Sequence, residues 1–396
     1  MEAHMNNMQV ILDIWNGYIK WAIFAEEGEG KVVVAREMIK TKWMRKGKIL
    51  DVEDFAVCIN KILESFTRKL GDDVVEKVFI WISHPECTIR RISEQKRILK
   101  GTITHDDIAH LSDVVADTMV KPNFEALKII PVQWIIDEQT KVKDPIGMEA
   151  RKLELIADVF MIPKNFYNNL FDACEQLDLH IADIIPNILG SAEACLDLDV
   201  RDLGALLIDM WANQTSYVVY EEWFPVVYGV LPVGGEDVTK DLSIGLQVDI
   251  KDAEHIKREK WVIIMDNRML EDESVDMRFL SDIMIARYEE IFEFINEDLI
   301  LHQKDGRLPW GVILTGGASK VDWLTVLAKD IFKLATFKGK ERNLELWDLS
   351  SNQQFINTIG VYSWAMKYYQ AQRRSFNMNF NFGLFSKVGD FFKQLF

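Results

Sequence analysis

Glycine is scarce in this chain, at 21 of 396 residues or about 5%, against a usual ~7%. Cysteine numbers four, at Cys58, Cys87, Cys174 and Cys195, with no C-x-x-C pair. That spacing excludes a disulfide framework and a cysteine zinc site, and it fits a reducing compartment. Cations are in deficit: the formal net charge is −16, which argues against nucleic-acid binding driven by net charge. No uninterrupted apolar run approaches the ~18 residues of a membrane-spanning helix. Met1 to Met8 shows no basic region followed by an apolar core, so no secretory signal is expected. What remains is 48% apolar and 27% charged residues, a globular composition of two or three domains rather than a disordered or collagen-like one. Tryptophan is the one excess, 12 against 9 tyrosines and 9 prolines.

The order of elements repeats. Residues 8–13 read as a buried strand ending in Asp13, followed by the loop Trp15-Asn16-Gly17, strands over 18–25 and 31–38, and a helix beginning near Val52. Phe55, Ile59, Ile62 and Phe66 mark the apolar face of that helix, Gly71 sits where a C-cap glycine belongs, and a strand over 77–83 follows. Downstream, Leu203 to Asp209 is again a buried strand ending in an acid, followed by the loop 210–214, strands over 215–220 and 224–231, and a helix over 234–247. Two related halves would form a cleft between them; strand–acid–turn–strand is also common in α/β proteins generally. Between the halves, roughly 84–162 reads as an α+β insertion. Thr104 and Asp107 form a capping box opening a helix over 105–119, and strands at 125–137 and 151–162 flank residues 141–150. Gly311 to Thr315 is a buried strand running into Gly316-Gly317, with a helix from about 322 to 334 and another over 355–369.

Three strand ends carry candidate chemistry. An aspartate at the carboxyl end of a strand orients water around Mg²⁺ held by nucleotide phosphates. A tight turn after it, with outward backbone N–H groups and a threonine such as Thr215, cradles phosphate oxygens. A Gly-Gly turn lets backbone approach a base or ribose without Cβ interference. Two N-capping aspartates and an ordinary turn are the simpler alternative. No Walker A loop, G-x-G-x-x-G fingerprint, G-x-S-x-G elbow or HExxH motif is present.

Taken in order, Asp13-Ile-x-x-Gly-x-Ile-Lys20, Asp209 to Thr215, Ala253-Glu254-x-Ile-Lys257 and Leu314-Thr-Gly-Gly-Ala-Ser-Lys320 resemble the actin/Hsp70-like ATPases, and within them the FtsA family of bacterial cell-division proteins. Asp144-Pro145-x-Gly147-Met148-x-Ala150 matches a signature of that family's inserted subdomain. The resemblance implies an α/β, two-lobed actin-like ATPase fold of duplicated ribonuclease-H-like halves, with an inserted α+β subdomain 1C and a C-terminal amphipathic helix. The implied boundaries are 1–83 and 163–200 for subdomain 1A, 84–162 for 1C, 201–236 and 311–350 for 2A, and 237–310 for 2B. Residues 351–370 would form the closing helix of 1A, 371–382 a linker and 383–396 a targeting helix.

By the same resemblance Asp13 and Asp209 would face Mg-ATP, holding Mg²⁺ through water. Asn16, Gly17 and Tyr18 would form the first phosphate loop, and Asn213 and Thr215 the second. Glu254 and Lys257 would hold the ribose and base edge, and Gly316, Gly317 and Ala318 would line the adenosine pocket. Glu193 is a weaker candidate for positioning water. The implied partners are FtsZ at subdomain 2B, further copies of the chain in a polymer, other divisome proteins through 1C, and an anionic membrane surface on the cytoplasmic side at the division site, with no nucleic acid. Any hydrolysis would be slow, because no residue is an evident strong general base. Two other classes share the superfold. A sugar or acetate kinase would have no need of residues 383–396, and a PilM-like pilus-assembly scaffold would bind a partner's short peptide in place of lipid.

The carboxyl terminus has its own pattern. After an Asn-rich stretch over 371–382, Leu384, Phe385, Val388, Phe391, Phe392, Leu395 and Phe396 fall on one stripe of a helix, with Ser386, Lys387, Asp390, Lys393 and Gln394 opposite. Arg373, Arg374, Lys387 and Lys393 stand against Asp390 alone, so this segment is cationic where the rest of the chain is acidic. Such a helix can dock on its own core, pair with another helix or lie in a bilayer interface. The linker and the charge reversal favour the membrane, where Lys387 and Lys393 meet anionic headgroups.

The tryptophans sharpen the glycine deficit. Family loops read Asp-x-Gly at both phosphate sites, whereas here they read Asp13-Ile14-Trp15 and Asp209-Met210-Trp211. Trp21, Trp43, Trp81, Trp310 and Trp323 also fall at family glycine positions. Trp261 follows a helix end, and Trp223 sits in the hairpin turn Glu221-Glu222-Trp223-Phe224, both glycine positions on turn chemistry. A lineage that reads UGA as glycine, translated with a table that reads UGA as tryptophan, produces this pattern. Restoring nine glycines brings the count to about 7.6% of 396 residues, the ordinary level. A nucleotide-dead paralogue with remodelled loops is the alternative.

Overall fold

In the computed structural model the described residues are 9–339, apart from 16–17, 28–29, 41–43, 46–47, 50, 71–76, 85, 119–121, 143, 260–274 and 322, together with 360, 362, 363 and 366. The chain divides into two compact units, residues 1–194 with 343–396, and residues 195–342.

The first unit opens with β1 (Gln9–Trp15), β2 (Tyr18–Glu27) and β3 (Gly30–Lys40), then a two-stranded ribbon of β4 (Met44–Arg45) and β5 (Lys48–Ile49), then α1 (Val52–Leu70) and β6 (Lys77–Ile82). The insertion follows as β7 (Thr88–Arg97), α2 (His105–Thr118), β8 (Phe124–Ile136), β9 (Thr140–Val142) and β10 (Lys152–Pro163). The chain then returns through α3 (Lys164–Glu175), β11 (His180–Pro186) and α4 (Asn187–Cys195). One sheet has the order β11-β6-β1-β2-β3, with β1 antiparallel to β2 and parallel to β6. The two-residue period of β1 sends Val10, Leu12 and Ile14 to a core shared with Phe55, Ile59, Ile62 and Phe66 of α1 and with Phe166 and Leu170 of α3. Ile11 and Asp13 therefore point to the opposite face. On that face Phe24 of β2 stacks on Tyr362, with ring centroids 4.5 Å apart.

The insertion builds its own sheet, in the order β7-β10-β8-β9. Ile108, Leu111 and Val115 of α2 close a separate core over Leu153, Leu155, Ala157 and Val159 of β10. Its helix begins at the expected capping box: Thr104 N–H donates to Asp107 Oδ2 at 2.9 Å, and Asp107 N–H reaches back to Thr104 Oγ1 at 3.4 Å. The insertion is braced on the first sheet by an ion pair from Lys128 of β8 to Asp183 of β11, at 2.7 Å.

The second unit contains α5 (Leu198–Leu203), β12 (Ala205–Met210), β13 (Thr215–Glu221), β14 (Phe224–Leu231), α6 (Gly235–Leu246), α7 (Ile250–Glu259), α8 (Val275–Leu301), β15 (Gly311–Thr315), a single 3₁₀ turn (Gly317–Ser319), α9 (Leu324–Phe332) and β16 (Thr336–Lys338). Its sheet order, β14-β13-β12-β15-β16, repeats that of the first unit: three antiparallel strands, then two added in parallel. Leu206, Ile208 and Met210 face a core with Val238 and Leu242 of α6, Met284 and Phe292 of α8, and Leu327 of α9. Asp209 again takes the opposite face. The duplication read from two acid-terminated strands is thus a duplication of the sheet itself. The C-cap expected at Gly71 and the amphipathic segment 383–396 lie outside the described residues, as does most of the helix expected over 355–369.

Candidate functional site

In the first unit, Asp13 stands opposite Lys20 across the β1–β2 ladder. The Lys20 ammonium lies 3.4 Å from Asp13 Oδ2, with both side chains almost fully buried. Burial pushes the Asp13 carboxyl above its ordinary range, and the Lys20 charge opposes that shift. Lys20 was not among the expected site residues, although a cation inside the apolar run Ile19 to Phe24 is itself a signal. Trp15 ends β1 opposite Tyr18; the side chains of both, and all of Asn16 and Gly17, lie outside the described residues. Glu193 is half-buried on α4.

In the second unit Asp209 is fully buried and pairs in register with Thr315 of β15. The loop after it is tight: Trp211 N–H donates to the Gln214 carbonyl at 2.8 Å. Asn213 is half-buried, whereas Thr215 is fully buried, its hydroxyl donating to the Val233 carbonyl at 2.9 Å. The first N–H groups of α6 turn back on this loop, Gly235 to the Trp211 carbonyl at 2.9 Å and Glu236 to that of Ala212 at 2.7 Å.

Around this loop the backbone packs more closely than any side chain allows. A Cβ on Gly316, whose φ is +90°, would lie 2.3 Å from the Met210 carbonyl and 2.7 Å from Asp209 Oδ1. A Cβ on Gly235 would lie 3.0 Å from that of Ala318 and 3.8 Å from the Lys257 ammonium. So Gly316, Gly317 and Ala318 are brought beside the start of α6, and Lys257 of α7 reaches the same place. Its ammonium donates to the Gly235 carbonyl at 2.8 Å and to Thr239 Oγ1 at 2.6 Å, and pairs with Glu254 at 2.6 Å. Thr239 in turn donates to Glu254 Oε2 at 2.6 Å. Burial alone would raise the Glu254 carboxyl, but the bonds from Lys257 and Thr239 outweigh it and hold it below the ordinary range. From behind, the buried Tyr288 hydroxyl donates to the Ala318 carbonyl at 3.0 Å, and Trp323 packs edge-on against its ring. Gly234-Gly235, Thr239 and Tyr288 were not anticipated; the Gly-Gly pair at a helix start was the available signal.

A carboxylate and an ammonium side by side can hydrogen-bond ribose hydroxyls and a base edge, and of the four glycines here only Gly317 leaves its missing side chain's place open, with nothing nearer than 3.8 Å. Among the described residues no group of three or more His, Cys, Asp or Glu could hold a metal ion directly.

The tryptophans divide by environment. Trp21 and Trp81 are core residues, Trp21 edge-on to Phe66 at 4.5 Å, while the Trp81 ring lies 2.5 Å from where a Cβ of Gly190 would be. Trp310 is half-buried, with its backbone N–H on the Gly204 carbonyl at 3.0 Å. Trp323 is buried in the second unit's core, and Trp43 and Trp261 lie outside the described residues. Trp223 alone of the nine, among the described residues, has left-handed backbone: Glu222 at φ 49° and Trp223 at φ 69° form the two-residue turn joining β13 to β14. That turn type favours glycine at its second position.

Residues 86–161 match the family model described as the SHS2 domain inserted in FTSA, and residues 206–360 the model for cell division protein FtsA. The cell division protein FtsA of Bacillus subtilis is 24% identical over 93% of this chain and 86% of its own length. That of Escherichia coli K12 is 22% identical over 81% of each. Among solved structures, the PilM–PilN type IV pilus biogenesis complex superposes with a TM-score of 0.63 at 16% identity, over 90% of this chain and 97% of the other. MreB 5 of Spiroplasma citri bound to AMPPNP gives 0.56 at 12% identity, over 93% and 99%. These likenesses, with the repeated sheet order, make the fold actin-like.

Proposed function

Because the chain belongs to the FtsA family of cell-division proteins, we propose that it is an ATP-dependent adaptor that polymerises on the cytoplasmic face of the membrane and tethers FtsZ there. The observation that carries the nucleotide part is the convergence of Gly235, Glu254, Lys257 and Ala318 in the second unit. Glu254 and Lys257 hold the ribose and base edge, Gly316 to Ala318 line the adenosine, and Asn213 and Thr215 belong to the phosphate loop. In the first unit, Asn16, Gly17 and Tyr18 are the corresponding loop. Asp13 of the first unit and Asp209 of the second would each hold Mg²⁺ through water, and the ion would neutralise phosphate charge. Glu193 is a positioning residue at most, and hydrolysis is slow.

The remaining assignments follow the family. Residues 237–310 receive FtsZ, 84–162 receive other divisome proteins, and 383–396 lie in the membrane interface after the linker 371–382. Half-burying the seven large apolar residues of that stripe supplies on the order of 5–10 kcal/mol before ordering costs. Co-sedimentation with anionic vesicles tests the anchor. The unaltered chain pellets and Phe391→Asp does not; binding that survives the substitution, or none in the unaltered chain, refutes it and favours the peptide-binding scaffold.

The nine tryptophans belong to the same proposal as glycines encoded by UGA. The left-handed Trp223 supports this on backbone grounds. The codons decide it: UGG at 15 and 211 refutes the idea.

A further inference from the structure

One contact disagrees with an open nucleoside site. The Trp211 backbone is held at both ends, its N–H on Gln214 and its carbonyl receiving Gly235, so only side-chain rotation is left to it. A Cβ on Gly234 would lie 2.2 Å from that carbonyl, which locks the loop against the start of α6. From this fixed point the six-membered edge of the indole runs along Gly317. Its Cζ3 and Cε3 are 3.8 and 3.9 Å from the place a Cβ of Gly317 would occupy, which is van der Waals contact. Gly317 precedes Ala318, whose own Cβ meets the start of α6 at Gly235, one step from the Lys257 ammonium. The indole therefore lines the one open glycine face of this cluster, that of Gly317.

We propose that Trp211 is a plug: its indole takes the face of Gly317 that a nucleoside needs, so the chain binds nucleotide only from the fraction of molecules in which the side chain has swung out. This rests on the nucleotide reading of the same site and deepens it. The indole lies along Gly317. Apparent affinity is the intrinsic affinity scaled by the open fraction, so removing the indole tightens binding without adding a contact. If residue 211 is glycine in the source organism, the native site is the unplugged one.

Calorimetric titration of Mg-ATP into the full chain, Trp211→Gly, Trp211→Ala and Trp211→Phe tests this, each also in a Trp15→Gly background so that the first loop does not mask the result. Thermal unfolding of each variant establishes that it is folded. The Gly and Ala variants are expected to bind at least about tenfold more tightly than the unaltered chain, with Phe close to it because a ring remains. Equal, measurable affinity across the series overturns the plug and leaves the nucleotide reading standing. Absence of binding in every folded variant, in both backgrounds, overturns both.

Discussion

Replacing Lys20 with methionine removes the only cation that contacts Asp13 among the described residues. The two side chains are 2% and 5% exposed at a separation of 3.4 Å, so neither end is replaced by water when its partner goes. Breaking such a pair from one side costs about 3–5 kcal/mol, whereas replacing both partners with neutral residues of similar volume is near neutral. Lys20→Met is therefore expected to lose about 3–5 kcal/mol at neutral pH, and Asp13→Asn/Lys20→Met to recover most of it. The pH dependence has a definite sign. Burial already raises the folded-state pKa of Asp13, with Lys20 holding it down; without Lys20 it rises further. A folded pKa above the unfolded one gives a contribution that is full below the unfolded pKa and lost as pH rises through the folded one. The deficit of the single variant should thus shrink as the buffer is taken from about pH 7 to about pH 5. Urea unfolding followed by circular dichroism reads all three quantities. A single variant as stable as the parent, a double variant no better than the single, or a deficit that grows in acid would refute the reasoning.

Three further outcomes follow from local geometry. Thr104→Ala removes one arm of the capping box at α2 and should cost about 1 kcal/mol in denaturant unfolding; no change would mean that Asp107 alone suffices. At position 223, where φ is 69°, Trp223→Gly should be more stable than Trp223→Ala by about 1 kcal/mol, because only glycine relieves left-handed strain; equal melting points would contradict that. Glu254 sits below the ordinary carboxylate range, so its stabilisation is present above the unfolded pKa and lost as pH falls through the folded one. Glu254→Gln should flatten that acid limb of the stability profile, and an unchanged limb would show that the pair with Lys257 is not its source.

The parts legible in sequence are those where a local pattern carries its own meaning. Buried strands ending at Asp13 and Asp209 announced the two sheets, and Thr104 with Asp107 announced α2. β7 escaped notice because Thr88 to Arg97 is mostly polar and cationic, with Ile89 and Ile92 its only large apolar residues, as suits an edge strand with solvent on one side. α8 was hidden for the opposite reason. Its core positions Met284, Tyr288, Ile291 and Ile295 are accompanied by exposed Phe279, Phe294, Ile300 and Leu301, which blur the stripe. In the site, Gly316-Gly317 and the Glu254–Lys257 spacing were readable through family resemblance. The closure of Gly235 on Ala318, the Thr239 bridge and the Tyr288 bond were not, because each joins segments that only the folded sheet and helices bring together. Nor could spacing tell on which side of its loop the Trp211 indole lies.

The proposed role of the chain is to carry FtsZ to a membrane. Co-sedimentation of purified FtsZ with anionic vesicles, with and without the full chain and Mg-ATP, tests it directly. FtsZ should pellet only when the chain is present, and should stay in solution when the chain carries Phe391→Asp. FtsZ that remains in the supernatant with the intact chain bound to the vesicles would contradict it.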